Sequence, residues 1–490
     1  MKKSRTYCSA ILLAIGLQAA QAQYAEDVLR FSQFGSTVGA RSQGMGNTVV
    51  GVADDYSALF GNPAGLTQQK SYEFSAGLSR LGYSNDVTFF GDKINGTNNA
   101  IKLDNLGVVY PIPTKQGGLT FAFGFGRVVN FTSIASFQGF NPTSSIIQSL
   151  IPTDNLNTRS DADFFNLIDT NIPYRLEIAD RNIDTIRQVD SMYSRLNGNI
   201  QQDGIVREGG GINNWSFGGA IDIAKNLSVG VTLNFVSGTY TYDREFTETD
   251  TRNLYQVFPN DIQYWTFTNT IKSDLSGFNA LFGLMYRKPG KFRFGATVRI
   301  PTTYEISETF GDDGFSMFDN NETRSASNNG ETKYTVVTPL VLSGGVSVQP
   351  LDWLLLAGDA EYTDWTQMEF DTNNPDLLQE NRNIKNWMRE TWNLRGGVEV
   401  TLWKFGVKLR AGMEYKPSPW KNDPAEYDQV SYTGGLGLMI DENTTINASY
   451  ALGAWKTFRV NYSLPGVPSA SQTSESVATN TINVTFSHLF

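Results

Sequence analysis

The sequence predicts an all-β fold: a transmembrane β-barrel of about fourteen antiparallel strands, with a small N-terminal hatch inside the lumen. The last twelve residues carry the first observation. Ile482, Val484 and Phe486 alternate with threonine and asparagine, and the printed sequence ends at Phe490. A strand in a membrane barrel faces lipid on one side and a polar lumen on the other, so it has a period of two over about ten residues. We expect the barrel assembly machinery to recognise Phe490.

The first 22 residues predict a signal peptide, which is the second observation. A basic stretch (residues 2–5) precedes a short apolar run (residues 11–17) and a small-residue cleavage site (residues 20–22). The apolar run is much shorter than the ~20 residues of a membrane-spanning helix, which disfavours an N-terminal anchor. Cleavage would remove Cys8, the only cysteine, so we expect no disulfides.

Composition excludes several function classes. Charged residues make up 18% of the chain and the formal net charge is -10, without any run rich in lysine or arginine, so nucleic acid is not an expected partner. His488 is the only histidine and lies on the predicted lipid face of the last strand. A Ser-His-Asp site in the lumen is therefore excluded, and we expect no enzyme, no cofactor and no metal site.

Fourteen segments alternate as amphipathic strands, and short turns alternate with long connections, as in outer-membrane barrels. The predicted strands are 71–84, 99–111, 117–129, 213–223, 227–243, 264–287, 291–309, 333–348, 353–370, 388–402, 405–416, 430–440, 444–460 and 475–490. The long connections, predicted to be external, are 85–98, 130–212, 244–263, 310–332, 371–387, 417–429 and 461–474.

Charged side chains on the polar faces of these strands are expected to point into the lumen. Arg293, Arg299, Arg395 and Arg410 are the candidate cations. Two interpretations stay open: structural ion pairs that hold the lumen together, or a site that binds the carboxylate of a ligand.

Residues 23–70 precede the first strand and are rich in glycine. They contain Ser36-x-x-Gly39-x-Arg41-x-x-Gly44, then Ala53-Asp54-Asp55 and Asn62-Pro63-Ala64-Gly65-Leu66. This pattern resembles the hatch of the FadL/TodX family of outer-membrane transporters for long-chain fatty acids and other hydrophobic compounds. The domain prediction is a signal peptide (1–22), a hatch (23–70) and a barrel (71–490).

The resemblance implies several roles. Gly39, Gly44, Asn62, Pro63, Ala64 and Gly65 would belong to the hatch. An interior pocket would lie beside residues 23–34, including Phe31 and Phe34, and the ligand would leave sideways through a gap at a kinked strand. The implied function is passive transport of hydrophobic small molecules across the outer membrane, with release into its lipid.

The connection at 130–212 is the longest, and its apolar residues have helical spacing. Ile147, Leu150, Phe164 and Phe165 are the candidates for an external ligand groove. The alternatives are that this connection packs on itself over the barrel mouth, or that it docks a protein. In the last case the chain would be a FadL-type partner subunit in protein secretion or surface attachment.

Overall fold

The structure is a computed structural model that describes residues 25–33, 38–256, 261–288 and 291–490, apart from the side chain of Pro468. The predicted signal peptide, Gln23 and Phe34 lie outside the described residues. In the described part of the chain, no helix has the length and apolar character needed to cross a membrane.

One sheet of eighteen strand segments closes on itself. Four pairs of consecutive segments are single strands with a break, so the sheet is an antiparallel barrel of fourteen strands, and the prediction is confirmed. The strands are β1 (Glu73–Phe89), β2 (Asp92–Ile112), β3 (Leu119–Asn130 and Ser133–Asn141), β4 (Ile200–Ala224), β5 (Leu227–Thr249), β6 (Ile262–Lys288), β7 (Phe292–Arg299 and Thr303–Phe318), β8 (Thr323–Val337 and Val341–Leu351), β9 (Leu354–Asp364 and Glu369–Phe370), β10 (Glu390–Leu402), β11 (Val407–Lys416), β12 (Gln429–Met439), β13 (Thr444–Leu464) and β14 (Val467–Leu489). The barrel closes where β14 pairs with β1, from Glu73 opposite Leu489 to Thr88 opposite Ser474.

An apolar belt surrounds the half of the barrel that carries the short turns. It consists of exposed side chains that point outward from strands around the barrel. They include Leu106, Val108, Phe121, Phe123, Trp215, Phe217, Phe235, Phe282, Phe294, Val346, Leu394, Met413, Leu436, Leu452 and Val484. The inward neighbours are polar, such as Ser216, Asn234 and Asn279. This is the pattern of a wall between lipid and a polar lumen.

The longest strands continue far beyond this belt, and there their faces invert. β6 has 27 residues, whereas about 9–11 are enough to span the membrane. Leu284 points outward in the belt, but Lys272 and Asp274 are the exposed residues further along, where Trp265 and Leu275 are buried inside. We call this half of the barrel, which has a polar outer face and an apolar interior, the projecting part.

The external connections are shorter than the sequence predicted. Residues 133–141 and 200–212 lie in β3 and β4, so the longest connection covers only 142–199, and the predicted loops at 85–98, 310–332 and 461–474 are mostly strand. The prediction ended these strands too early because their polar outer faces lack the lipid-facing pattern. The connection itself contains three α-helices, Ile147–Leu150, Asp161–Thr170 and Ile172–Arg175, and a hairpin of Ala179–Asp184 with Val189–Ser194.

Strands β9 to β12 hardly extend above the belt. Apart from the two-residue second segment of β9, they have 10–13 residues each. The projecting part is therefore open on that side. A helix in the connection between β9 and β10, Pro375–Trp387, covers the opening and buries Leu377 and Ile384 towards the lumen.

Three large buried apolar clusters lie inside the barrel, one above the other, beside a small one formed by Met45, Val52 and Leu355. The first, at the short-turn end, joins Val38 and residues 53–66 to the ends of β2 to β4 and β6. The second, at mid-height, surrounds an N-terminal helix, Ala25–Ser32. The third fills the projecting part with the 142–199 connection.

Candidate functional site

Residues 38–70, here called the inner segment, lie inside the belt half of the barrel and bond to strands around its circumference. The bonds include the Gly39 amide to Asp104 (2.8 Å), the Ala40 amide to Thr485 (2.9 Å), the Gly46 amide to Thr433 (3.0 Å), the Thr232 hydroxyl to the Leu59 carbonyl (2.9 Å) and the Ser347 hydroxyl to the Gly51 carbonyl (2.8 Å). These contacts reach β2, β5, β8, β12 and β14, so the wall holds the segment on all sides.

Arg41 is the centre of a buried charge cluster between the inner segment and the wall. Its guanidinium pairs with Asp54 in its own segment and with Glu399 of β10 at 2.9 Å. Arg293 of β7 lies 2.9 Å from the same Asp54. Burial alone would raise the pKa of Asp54, but the two guanidinium groups outweigh it and hold that pKa below its ordinary value. Asp54 therefore carries a negative charge that ties the segment to β7.

A second anchor is a single carboxylate on β9. Asp359 is 5% exposed and accepts the amide hydrogens of Val49 (2.7 Å), Val50 (2.8 Å) and Gly51 (3.3 Å). Three consecutive backbone donors have few other ways to be satisfied inside a protein. One acidic residue of the wall thus fixes a whole turn of the inner segment.

The predicted hatch residues occupy the inner segment, and the geometry explains their types. Asn62 donates to the carbonyls of Val50 (2.9 Å) and Leu284 (3.2 Å), while its side-chain oxygen accepts from the Ala64 amide. Pro63 begins a short 3₁₀ helix, Pro63–Gln68. A Cβ atom at Gly65 would lie 2.1 Å from the Ala53 carbonyl oxygen, so only glycine fits.

The other two predicted glycines pack against the wall. Gly39 has a φ of 91°, which favours glycine, and it begins the helix Ala40–Gly44. A Cβ atom at Gly44 would lie 3.1 Å from the Cα of Gly435. These residues fit a tight, fixed packing of the inner segment.

All four candidate arginines contact protein groups in the lumen. Arg293 pairs with Asp54, Arg410 pairs with Glu399 at 2.7 Å, and Arg395 lies 2.8 Å from Glu414 and 3.2 Å from Glu361. The fourth, Arg299, donates to the Phe60 carbonyl at 3.4 Å. The contacts of Arg293, Arg395 and Arg410 favour the interpretation as structural ion pairs.

The helix Ala25–Ser32 (α1) fills the middle of the lumen. Val28, Leu29 and Phe31 are buried, and the Phe31 ring meets the rings of Phe131 and Tyr240 edge-on, at 6.1 and 5.9 Å between centroids. Arg30 pairs with Asp27 and stacks over the Tyr240 ring at 4.4 Å. The helix therefore blocks the lumen at mid-height.

A cavity of about 50 Å³ lies between the inner segment, the end of α1 and the wall. A dry cavity that binds benzene has about 150 Å³, so this space is too small for an aromatic ring. Its lining is Gln33, Val49, Val50, Phe60, Gly61, Val128, Val129, Asn214, Asn234, Asn279, Leu281, Thr297, Arg299, Tyr304, Val341, Ser343, Glu361 and Arg395.

The cavity touches the wall where two neighbouring strands separate. β2 and β3 pair only from Ile112 opposite Leu119 to Asn105 opposite Gly126. Beyond Gly126 the ladder between β2 and β3 ends, and only the Arg127 Nε to the Leu103 carbonyl (3.4 Å) and the Asn98 amide to the Ser133 carbonyl (3.2 Å) are described between these strands. On its other side, β3 continues to pair with β4. Val128 and Val129 line the cavity; in this stretch Val129 pairs with Ile212 of β4, but β3 has no ladder partner on its β2 side. Sequence reasoning did not locate the seam, because both strands keep their alternating pattern through it.

The candidate groove residues of the long connection differ in how deeply they are buried. Ile147 is fully buried, Leu150 and Phe164 pack against the same apolar cluster, and Phe165 is 63% exposed. Arg181 stacks over the Phe164 ring at 4.6 Å. Three of these side chains therefore pack towards the apolar cluster inside the projecting part, and the four do not line one open groove.

We compared the chain with protein families, curated proteins and solved structures. A family model described as BamG matches residues 189–462. A search of curated protein sequences found no match.

Several solved structures share the fold across almost the whole chain. The toluene transporter TodX of Pseudomonas putida has a TM-score of 0.54 at 14% identity, over 94% of this chain and 99% of that chain. The toluene transporter TbuX of Ralstonia pickettii has a TM-score of 0.50 at 15% identity, over 93% and 99%. A FadL homologue of Pseudomonas aeruginosa has a TM-score of 0.53 at 12% identity, over 93% and 98%. The resemblance to FadL/TodX barrels is confirmed at the level of the fold.

Proposed function

The chain belongs to the BamG family, and on that basis and on the barrel's geometry we propose that it is an outer-membrane channel for small hydrophobic molecules. Passage is passive, and the molecule leaves sideways into the lipid. The apolar belt supports the membrane location. The related folds support the substrate class, because they are described as toluene transporters and a FadL homologue.

The anchoring of the inner segment argues against an exit along the barrel axis. An axial path would break the Arg41 and Arg293 ion pairs with Asp54 and the three bonds to Asp359. Charged groups left buried without their partners carry a large free-energy penalty. A side exit leaves all these contacts in place.

The observation that carries the proposal is the seam between β2 and β3. Val128 and Val129 connect the cavity to the wall at the point where β3 has no strand partner on its β2 side. Outside this point, Ile101 and Leu103 are 70% and 40% exposed apolar residues. A hydrophobic molecule therefore has apolar contacts from the cavity to the lipid, each buried CH₂ contributing about 0.8 kcal/mol.

A cysteine cross-link across the seam tests the side exit. Leu103→Cys and Arg127→Cys, joined by a short bifunctional thiol reagent in the chain that begins at Gln23, should lower toluene uptake into proteoliposomes at least tenfold. The matched control joins Leu106→Cys to Phe125→Cys, which are direct partners in the paired part of β2 and β3. This control should leave uptake unchanged.

The outcomes separate the two parts of the proposal. Normal uptake through a barrel whose seam is verified as cross-linked would exclude the side exit. Uptake no faster than through protein-free vesicles, without any cross-link, would exclude the channel itself.

The filled lumen favours a second candidate, a partner subunit in protein secretion or surface attachment. Among the residues that the structure describes, a cavity of about 50 Å³ leaves no open path for a ring in this conformation. Native mass spectrometry of protein extracted in mild detergent tests it. A stoichiometric protein partner without any small ligand would favour this role, and a bound hydrophobic molecule would favour transport.

A further inference from the structure

Four exposed lysines lie on neighbouring turns at the short-turn end of the barrel. Lys115 is in the turn between β2 and β3, Lys225 is in the turn between β4 and β5, and Lys288 and Lys291 flank the tip of the turn between β6 and β7. The three turns follow one another around the rim, because β2 to β7 are neighbours in the barrel. We call these four residues the basic arc.

The charge of the basic arc is not neutralised by the protein. Among the described residues, none of the four lysines forms an ion pair. The segments 111–119, 222–228 and 286–292 contain one acidic residue, Asp222. It is already held by Arg287 at 2.7 Å and by the Ser228 hydroxyl at 2.6 Å. The arc therefore presents four positive charges to its surroundings.

The turns on the other half of the rim carry mainly negative charge. Asp352 lies in the turn between β8 and β9, and Asp441 and Glu442 lie in the turn between β12 and β13; all three are exposed. Lys404, in the turn between β10 and β11, lies over the Phe405 ring at 6.0 Å. Positive charge is therefore concentrated on one side of the rim and is not a general feature of the short turns.

The basic arc lies at the edge of the apolar belt. Lys288 is directly opposite Phe292 in the pair of β6 and β7, and directly opposed residues lie on the same face of a sheet. Tyr286, two residues before Lys288, is on that face as well. Both rings are exposed on the lipid side, 39% for Tyr286 and 40% for Phe292. An ammonium group on a flexible stem at this edge reaches the level of the lipid head groups.

We propose that the basic arc binds the phosphate groups of anionic phospholipids, such as phosphatidylglycerol, in the membrane leaflet that surrounds the short turns. The inference goes beyond the proposed channel function and does not depend on what the channel carries. An anionic phospholipid meets the lysines with its phosphate and the belt with its acyl chains, so one molecule matches both surfaces. A zwitterionic lipid such as phosphatidylcholine has a cation beside its phosphate and gains less from the lysines.

Native mass spectrometry of the detergent-purified chain that begins at Gln23 tests the proposal. The probes are phosphatidylglycerol and phosphatidylcholine with identical acyl chains, so only the head group differs. We expect phosphatidylglycerol to bind about tenfold tighter, the effect of one to two lysines close to an anionic group. Equal affinities, or tighter binding of phosphatidylcholine, would overturn the proposal.

The variant that removes the basic arc should lose this preference, because glutamine keeps a polar side chain without the charge. It combines Lys115→Gln, Lys225→Gln, Lys288→Gln and Lys291→Gln. The matched control removes the same charge from exposed lysines far from the short turns. It combines Lys93→Gln, Lys272→Gln, Lys333→Gln and Lys456→Gln.

The control should keep the preference for phosphatidylglycerol. A preference that survives in a heat-modifiable barrel without the arc, or that is lost equally in the control, would show that the arc is not the lipid site. If the fourfold variant does not fold, Lys115→Gln with Lys225→Gln and Lys288→Gln with Lys291→Gln are measured as separate pairs. Each pair should then lose part of the preference, and an undiminished preference in both would contradict the proposal.

Inorganic phosphate distinguishes a lipid site from a site for the free ion. At constant ionic strength, an excess of inorganic phosphate should leave phosphatidylglycerol bound, since the ion gains nothing from the apolar belt. Displacement of the lipid by phosphate would mean that the lysines bind the free ion, and the assignment to phospholipid would be wrong.

Discussion

Asp359 is the single residue whose loss should most loosen the inner segment. Asp359→Ala leaves the amide hydrogens of Val49, Val50 and Gly51 without their acceptor. We expect the free energy of unfolding in detergent to fall by about 3 kcal/mol, since hydrogen bonds to a charged acceptor are the strong kind. Urea titration would measure it, and limited proteolysis should then cut the inner segment first.

Asp359→Asn is the matched control, because it keeps one carbonyl acceptor at nearly the same position. Its loss of stability should be clearly smaller than that of the alanine variant. Equal losses would mean that the negative charge, and not the acceptor geometry, anchors the segment.

Glu248 has the corresponding role in the projecting part. It is fully buried and accepts bonds from Ser145 (2.5 Å), the Ile146 amide (3.0 Å), Trp265 (2.8 Å) and Gln202 (2.7 Å). In Glu248→Ala we expect amide exchange around Ile146 to accelerate about a hundredfold, because these bonds close the long connection locally. Glu245→Ala, exposed on the outer face of the same strand, should leave exchange unchanged. Unaltered exchange in Glu248→Ala would show that apolar packing alone holds the connection.

At the scale of elements, the sequence predicted those strands and turns that have a regular alternation of apolar and polar residues or a recognisable motif. The alternation of Ile482, Val484 and Phe486 predicted the last strand, and the Asn62–Gly65 motif matches a tightly packed turn whose glycine meets the Ala53 carbonyl. The outer ends of other long strands, residues 133–141 and 200–212, were assigned to a connection, because the lipid-facing pattern is lost outside the belt. The seam at Arg127 depends on pairing between strands, which is not visible in either strand alone.

The helix α1 is the element that closes the lumen at mid-height. Removal of Ala25–Ser32 takes away Leu29 and Phe31, which fill the space beside Tyr240. We expect the variant to form a folded, heat-modifiable barrel with measurable single-channel conductance in planar bilayers, whereas the intact protein conducts below detection. Removal of the outer hairpin turn, residues 185–188, is a deletion elsewhere and should leave the channel closed. A deletion of α1 that stays electrically silent would place the closure in the inner segment alone.

At the scale of the whole molecule, the barrel consists of two halves with opposite surface chemistry. The belt half has apolar side chains outside and amides such as Asn279 inside, while the projecting part has Trp265 and Leu275 inside and charges outside. Only the belt half can lie in lipid, because the charged outer face of the projecting part would be costly there. The cavity, the seam and the anchored inner segment all lie in or beside the belt half, so the proposed chemistry is confined to membrane depth.

This division predicts where the membrane ends along one strand. Spin labels at Leu284→Cys and Lys272→Cys occupy outward, exposed positions of β6, one in the belt and one in the projecting part. In proteoliposomes, the label at 284 should relax with lipid-soluble oxygen and the label at 272 with a water-soluble nickel chelate. The two labels are twelve residues apart on one strand, about 40 Å along the strand and about 30 Å along the barrel axis at the usual tilt, which exceeds the roughly 25 Å height of the apolar band of such barrels. Oxygen-dominated relaxation at both positions would mean that lipid covers the projecting part, and the assignment of that part to water would then be wrong.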